Sequence, residues 1–259
     1  MSVDSQGAAV LLEDKVEGLS LRTEELTAGY QGSPVVHGVS ISVEHGEVVS
    51  IVGPNGSGKS TLLKSLVGLV EIMSGKVFVG DRNVTGWPTE NVARIGVGYV
   101  PQTDDVFPPL TVRENLEMGG YLLKGREVTA RLEHVLKVFP QLSRMVTRRA
   151  GKLSGGERKM LAMGRALMLE PALVVLDEPT ANLAPKIATT VLEEHVRSLA
   201  ATGASVLIVE QRAKAVLAIS DRTYVLGGGQ LRMEGRPAEL SSSPEFVESF
   251  LGGGQRHSG

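Results

Sequence analysis

A glycine-rich segment that ends in lysine, serine and threonine is the part of this chain best suited to chemistry. It occupies residues 53–61 and follows the pattern G-x-x-x-x-G-K-S. Glycines let backbone N–H groups turn toward an anion, while the lysine and the hydroxyl can reach phosphate oxygens and Mg²⁺. We predict that this phosphate loop binds a nucleotide. The residues predicted to do so are Gly53, Asn55, Gly56, Ser57, Gly58, Lys59, Ser60 and Thr61.

The segments on either side of the phosphate loop support this prediction. Glu47–Val52 is a short, β-branched apolar run typical of a buried strand, and Thr61–Leu69 has apolar residues at helical spacing. The N-terminus of such a helix adds partial positive charge beside the phosphates. An ordinary glycine-rich turn after a strand is the alternative, but it would not require a strand, a loop and a helix in this order.

An acidic pair and two glutamines follow other predicted strands. Asp177 and Glu178 come after the apolar run Leu173–Leu176, while Gln102 and Gln211 follow two further runs. Because ligands bind at the carboxyl ends of parallel strands, we expect these side chains to meet the phosphate loop. The aspartate can hold Mg²⁺, and the glutamate can polarise the water that attacks a phosphate.

A second helix N-terminus is predicted at Ser154, Gly155 and Gly156. Glu157 completes the S-x-x-E pattern of a capping box, which opens a helix to about Leu169. Small residues at a helix N-terminus can also bind an anion. A normal capped helix is the alternative. Since the chain has a single phosphate loop, a second anion site suggests contact with the nucleotide bound to another copy.

Strands that alternate with helices predict an α/β fold with a mostly parallel sheet flanked by helices, as in a P-loop NTPase core. The half-buried strands Leu21–Leu26 and Val39–Val43 predict a β portion at the N-terminus, which we expect to be antiparallel. Helical patterns, one of them from Thr111 toward Leu122, predict a helical subdomain inserted at about 106–165. A hairpin is predicted near the end, at about 222–234.

Composition excludes several classes of protein. The 259 residues carry a net charge of -2, with 4% aromatic residues and no cysteine. We therefore expect no nucleic-acid partner, no disulfide and no thiolate metal site, and the lack of cysteine is compatible with the cytoplasm. No signal peptide and no apolar run of membrane-spanning length is visible, so any membrane spans would have to come from other chains.

The segment Leu153–Glu157, placed between the phosphate loop and Leu-Asp-Glu-Pro at 176–179, resembles the signature of ABC-type ATPases. The resemblance covers about 20–240, as a single ABC ATPase domain. It leaves a lead-in at 1–19 and a C-terminal helix with a flexible tail at 241–259. In detail the chain is similar to the ATP-binding subunits of branched-chain amino acid importers. The segments that carry this closer similarity are 27–30, 106–116, 182–185, 209–212 and 221–226.

The resemblance implies roles for single residues. Tyr30, which would otherwise be only a residue at a strand end, would stack on the adenine of ATP. Gln102 would contact Mg²⁺ and the attacking water, as Ser60 and Asp177 would contact Mg²⁺. Catalysis would rest on Glu178, Lys59, Gln102 and Gln211, and Ser154, Gly155 and Gly156 would close over the ATP of a partner.

Two positions depart from the family pattern. Gln211 replaces the usual histidine, and a glutamine donates a hydrogen bond but does not titrate. Ala184 stands where an aspartate usually ends the segment after the acidic pair. Both departures resemble the branched-chain subfamily, so we do not interpret them as inactivation.

The resemblance implies an ATPase that forms a homodimer, or a heterodimer with a paralogous subunit, around two ATP molecules. It would energise separate permease subunits from the cytoplasmic face of the membrane, which would dock on residues 103–120. The cargo would be branched-chain amino acids or similar small polar solutes. One alternative is a non-transport ABC ATPase that acts on nucleic acid or ribosomes, which usually has two cassettes or long coiled coils. Another is a GTPase or small-molecule kinase, although the Asn-Lys-x-Asp motif for guanine is missing.

Overall fold

The structure, a computed structural model, describes residues 19–103 and 105–248. The predicted flexible tail, and all of the predicted lead-in except Leu19, lie outside the described residues. The predicted C-terminal helix begins earlier than expected, because Pro237 and Pro244 each occupy the first turn of a short helix.

The first part of the chain is rich in strands. In chain order its elements are β1 (Leu21–Tyr30), β2 (Ser33–Val39), β3 (Ser42–Val43), β4 (Val48–Val52), α1 (Lys59–Leu66), β5 (Glu71–Val79), β6 (Arg82–Asn83), α2 (Thr89–Arg94) and β7 (Val97–Val100).

The middle of the chain is helical. Its elements are α3 (Val112–Gly119), α4 (Arg126–Val138), α5 (Pro140–Ser143), a 3₁₀ turn (Ala150–Lys152) and α6 (Gly155–Leu167).

The last part alternates strands and helices again. Its elements are β8 (Leu173–Asp177), α7 (Pro185–Thr190), a π-helical segment (Val191–Val196), α8 (Arg197–Ala200), β9 (Ser205–Glu210), α9 (Ala213–Leu217), β10 (Arg222–Gly227), β11 (Gln230–Gly235), α10 (Pro237–Ser242) and α11 (Pro244–Phe246).

The N-terminal strands form an antiparallel sheet in the order β2-β1-β5-β6, with β3 also paired to β1. The prediction of one strand at Val39–Val43 was wrong. The Thr23 hydroxyl donates to the carbonyl of Val39 and accepts from the N–H of Ile41, each at 2.9 Å. A side chain from β1 therefore binds the backbone where a continuous strand would pair.

The second sheet has the order β11-β10-β4-β9-β8-β7 and is parallel except for the predicted hairpin of β10 and β11. Its central strands are buried on both faces, which is typical of a parallel sheet covered by helices. On β9, Val206 and Ile208 pack into one hydrophobic core, and Leu207 and Val209 pack into the other. The first core contains the middle helices, and the second contains α1 and the antiparallel sheet. The α/β prediction is confirmed.

Two helices differ from what the sequence patterns indicate. The helix that Thr111 caps ends at Gly119, short of Leu122. A side chain at Gly119 would lie 2.4 Å from the Arg165 carbonyl, so this position touches the backbone of α6, and the chain turns at Gly120. The sequence patterns do not indicate the short helix α2, because it buries only Val92 and so lacks an apolar repeat.

No helix within 19–103 and 105–248 has the length and hydropathy needed to cross a membrane.

Candidate functional site

The phosphate loop connects β4 to α1 and depends on its glycines. Gly58 has φ 96°, a left-handed conformation that favours glycine. At Gly53 a Cβ would lie 2.2 Å from the Leu226 carbonyl oxygen and 2.7 Å from Ser57 Oγ. The loop is therefore packed directly against the β10–β11 hairpin, whose Gly229 N–H donates to the Ser57 carbonyl at 3.0 Å.

Lys59 is buried in this loop, with Nζ bonded to the carbonyls of Gly53 at 2.9 Å and Pro54 at 3.1 Å. Its ammonium also lies 3.7 Å from Glu178 Oε1. Burial lowers the pKa of Lys59, and the opposite charge of Glu178 acts against that shift. The ammonium thus lies between the loop carbonyls and the predicted catalytic acid.

Ser60 and Asp177 meet at the carboxyl end of the parallel sheet. Ser60 Oγ donates to Asp177 Oδ1 at 2.8 Å, and the Tyr99 hydroxyl donates to Oδ2 at 3.3 Å. Burial, and then the charge of Asp177, raise the pKa of Tyr99, so its phenol stays a neutral donor. A serine hydroxyl beside a buried carboxylate suits Mg²⁺, which takes one or two protein oxygens and otherwise phosphates and water.

Two further observations bear on ligands. Ser57 Oγ is buried without a hydrogen-bond partner among the described residues. A hydroxyl left in this state inside a glycine-rich loop fits a phosphate ligand. Among residues 19–103 and 105–248 no group of three histidines or acids could hold a metal by itself.

Glu178 is the point where separate segments converge. Gln102 Nε2 donates to Glu178 Oε2 at 2.9 Å, and Gln211 Nε2 donates to the same oxygen at 2.8 Å. Glu178 itself is buried, with its backbone N–H bonded to the Val209 carbonyl at 3.0 Å. The two amides hold the carboxylate and leave Oε1 directed toward Lys59.

The N-terminus of α6 has the predicted capping box. Ser154 Oγ accepts from the N–H of Glu157 at 3.4 Å, and Glu157 Oε2 accepts from the N–H of Ser154 at 2.6 Å. Gly155 and Gly156 line a cavity of about 440 Å³ together with Gln102 and residues 181–184. The predicted second anion site is therefore beside Gln102, in the loop after β7 that we call the Gln102 loop.

Tyr30 lies at the end of β1 and is 48% exposed. It pairs with Ser33, where β2 begins, and β2 then passes the phosphate loop: a Cβ on Gly58 would lie 3.3 Å from the Val35 carbonyl oxygen. The ring is thus accessible near the strand that flanks the loop.

Sequence reasoning missed a buried lysine that connects α6 to the chain after β7. Lys159 Nζ on α6 donates to the Gln102 carbonyl at 2.7 Å and pairs with Asp105 Oδ2 at 2.7 Å. Arg165, about 1.7 turns further along the same helix, stacks its guanidinium 4.5 Å from the ring centre of Phe107. A lysine among apolar neighbours in the stretch 159–163 was the available signal.

Comparisons with known proteins identify relatives of this chain. The profile of the ABC transporter family matches residues 36–181. LivF of Archaeoglobus fulgidus, named a probable branched-chain amino acid transport ATP-binding protein, is 40% identical over 90% of this chain and 98% of its own length. BraG of Pseudomonas aeruginosa, named a high-affinity branched-chain amino acid transport ATP-binding protein, is 39% identical over 90% of this chain and 100% of its own.

Solved structures agree with the sequence relatives. The ADP conformation of MJ1267, described as an ATP-binding cassette of an ABC transporter, has a TM-score of 0.81 and 34% identity. It covers 90% of this chain and 99% of its own. The chain therefore belongs to the ABC transporter family and is one of its ATP-binding, ATP-hydrolysing subunits.

Proposed function

We propose that this subunit forms a dimer around two ATP molecules and energises a separate membrane permease that imports branched-chain amino acids or similar small polar solutes. The observation that carries the proposal is the shared Glu178 oxygen, on which the amides of Gln102 and Gln211 converge beside Lys59. Phosphoryl transfer needs positioning and charge stabilisation above all, and this arrangement supplies both.

The residues of the site have separate roles in hydrolysis. The phosphate loop binds the phosphates, and Lys59 exchanges its bonds to the loop carbonyls for phosphate oxygens. Ser60, Gln102 and Asp177 would hold Mg²⁺, which supplies charge neutralisation on the phosphates when bound. Glu178 orients the attacking water and accepts its proton.

Gln211 stands where the family usually has a histidine, and its contact clarifies its role. Its amide donates to the Glu178 carboxylate at 2.8 Å. A glutamine keeps this hydrogen bond at every pH but takes up no proton. In the proposed mechanism Gln211 therefore positions Glu178, and Glu178 accepts the proton of the attacking water.

The N-terminus of α6 supports dimer formation. Its small residues Gly155 and Gly156 line a cavity. In a head-to-tail dimer Ser154 and these glycines would cover the ATP of the partner, and Tyr30 would stack on the adenine of its own ATP. The partner would be a second copy or a paralogous ATPase subunit.

Exposed apolar side chains support a permease contact. Met118 and Tyr121 are 49% and 59% exposed, and both line a groove of about 270 Å³ between the middle helices and β7. Phe107, 41% exposed, lies at the edge of the same region. Apolar surface of this kind fits helices supplied by membrane subunits, which would hold the ATPase at the cytoplasmic face of the membrane. The transported solute is proposed from the names of LivF and BraG.

The test is the oligomeric state of the Glu178→Gln variant, measured by light scattering with and without Mg-ATP. We expect turnover to be abolished while ATP binding is kept, and ATP to convert monomer into dimer. The Lys59→Ala variant, which loses the phosphate-binding ammonium, is the matched control and should stay monomeric. Unchanged turnover in Glu178→Gln would overturn the assigned role. A monomer that binds ATP, and does not dimerise when candidate paralogous subunits are added, would overturn the dimer.

A further inference from the structure

The last residue of β9 and the two residues after it each bind the segment that follows β8. Glu210 Oε1 accepts from the Thr180 N–H at 2.9 Å, and Gln211 binds Glu178 as described above. Arg212 Nη2 donates to the Leu183 carbonyl at 2.7 Å. The chain from 178 to 183 is thus held at three points by one short neighbouring segment.

This segment needs such support because its backbone is strained. Glu178 has φ 44°, in the left-handed region that most residues with a Cβ disfavour, whereas Asn182 has φ 60° in the same region, which asparagine adopts more readily. Conformations of this kind persist when surrounding contacts determine them. The Arg212 bond is to the residue directly after Asn182, so it holds the chain where it leaves the second left-handed position.

The end of the segment lacks a cap of its own. Ala184 is the N-cap residue of α7, and no side chain among the described residues caps that helix. An aspartate there would accept from the helix N–H groups. With alanine in that place, the guanidinium of Arg212 is the polar side-chain contact that fixes the Leu183 carbonyl.

The same segment packs against the start of α6. A Cβ on Gly155 would lie 2.6 Å from Leu183 Cδ2, and a Cβ on Gly156 would lie 2.8 Å from Ile187 Cγ2. The position of Leu183 therefore sets one wall of the proposed second ATP contact. Through Arg212 this wall is connected to Gln211 and hence to Glu178.

We propose that Arg212 is a positioning residue that couples the segment 180–184 to Gln211, so that hydrolysis at Glu178 and the surface offered to the partner change together. The proposal rests on the proposed function. Because Ala184 has no polar side chain with which to make this connection, Arg212 takes the coupling role.

The test compares Arg212→Ala, Arg212→Lys and Arg197→Ala in the full chain. Arg197 is the matched control because it is an exposed residue whose Nη2 also donates to a backbone carbonyl, that of Ala218 at 3.0 Å. We expect Arg212→Ala to lower kcat about tenfold with KM for ATP unchanged, because a charged hydrogen bond is lost. Arg212→Lys should restore most of kcat, and Arg197→Ala should leave kcat unchanged.

A second measurement separates this inference from the proposed function. Arg212→Ala added to Glu178→Gln should weaken ATP-driven dimerisation about tenfold, without changing ATP binding by the monomer. If Glu178→Gln dimerises but Arg212→Ala alters neither kcat nor the dimer, the inference fails and the proposed function stands. If Glu178→Gln does not dimerise, the kcat of Arg212→Ala still decides, and an unchanged kcat overturns the inference. Equal losses in Arg212→Ala and Arg197→Ala would also overturn it.

Discussion

Two helices in this protein begin with glycine and serine residues that could face a phosphate, yet their N-termini are built differently. At α1 the cap is Gly58, which no side chain among the described residues assists, and the first turn holds no acid. At α6 the cap is Ser154, whose hydroxyl and backbone are both engaged by Glu157.

The N-terminus of α1 is open to an anion, whereas the N–H groups at the N-terminus of α6 are already partly bonded within the same chain. The first four N–H groups of a helix lack intrahelical partners and attract anions. In α1 they are joined by Lys59 and by the unpartnered hydroxyl of Ser57. In α6 the Glu157 carboxylate already occupies this field, so we expect its N-terminus to bind a phosphate only with help from a second subunit. The Ser154 hydroxyl still has a proton to donate to that phosphate.

The sharpest way to break this comparison is to place a methyl group at each start. In Gly58→Ala the new Cβ would sit at φ 96° and 3.3 Å from the Val35 carbonyl, so we expect ATP affinity of the monomer to fall at least about tenfold. In Gly156→Ala we expect unchanged affinity of the monomer, because its Cβ would meet Cγ2 of Ile187, at 2.8 Å, and no part of the phosphate loop. Nucleotide titration of both variants measures this.

Gly203→Ala is the control that shows the effect of backbone strain alone. Gly203 has φ 89° but open space around its Cβ position, so this variant should lose stability and keep ATP affinity. If Gly156→Ala weakens ATP binding by the monomer as much as Gly58→Ala does, the two helix starts act alike and the comparison is wrong.

A smaller effect is expected from removing the serine cap. Ser154→Ala should lower the free energy of unfolding by about 1 kcal/mol, since one capping bond to the N–H of Glu157 is lost. Thr111→Ala on α3 is the matched control, because Thr111 and Glu114 form the same box. Denaturant unfolding should show similar losses in both variants, whereas ATP turnover should fall only in Ser154→Ala. Equal turnover in the two variants would remove Ser154 from the site.

The smallest effect concerns the pH dependence of stability. The backbone bond from Ser154 lowers the pKa of Glu157 below its ordinary value of 4.5. A lowered pKa in the folded state stabilises the protein above the unfolded pKa, and this contribution is lost as pH falls through the lower value. Thermal unfolding of Glu157→Gln should therefore depend less on pH below about 4.5 than that of the parent protein. Parallel curves for the two proteins would contradict this assignment.

Local patterns explain how much was predictable. The strand, loop and helix around residues 53–61, the capping box of Ser154 and Glu157 and the buried strands were found correctly because each depends on residues close together in sequence. The break after Val39 and the early end of α3 were missed, because Thr23 and Arg165 act on those positions from other elements. The amide of Gln211 was expected near the site, but its contact with Glu178 required the order of β8 and β9.

The α/β class, the loop at 53–61 and the acidic pair could be read from the sequence, since periodicity, glycine spacing and strand ends are local properties, and the motif at Leu153–Glu157 carried the resemblance to the family. Only the tertiary structure decided that Gln102 and Gln211 share one oxygen of Glu178, that Lys159 joins α6 to the Gln102 loop, and that Arg212 holds Leu183. These contacts join residues far apart in the chain. Their geometry follows from the strand order and from how the helices pack, which no short segment contains.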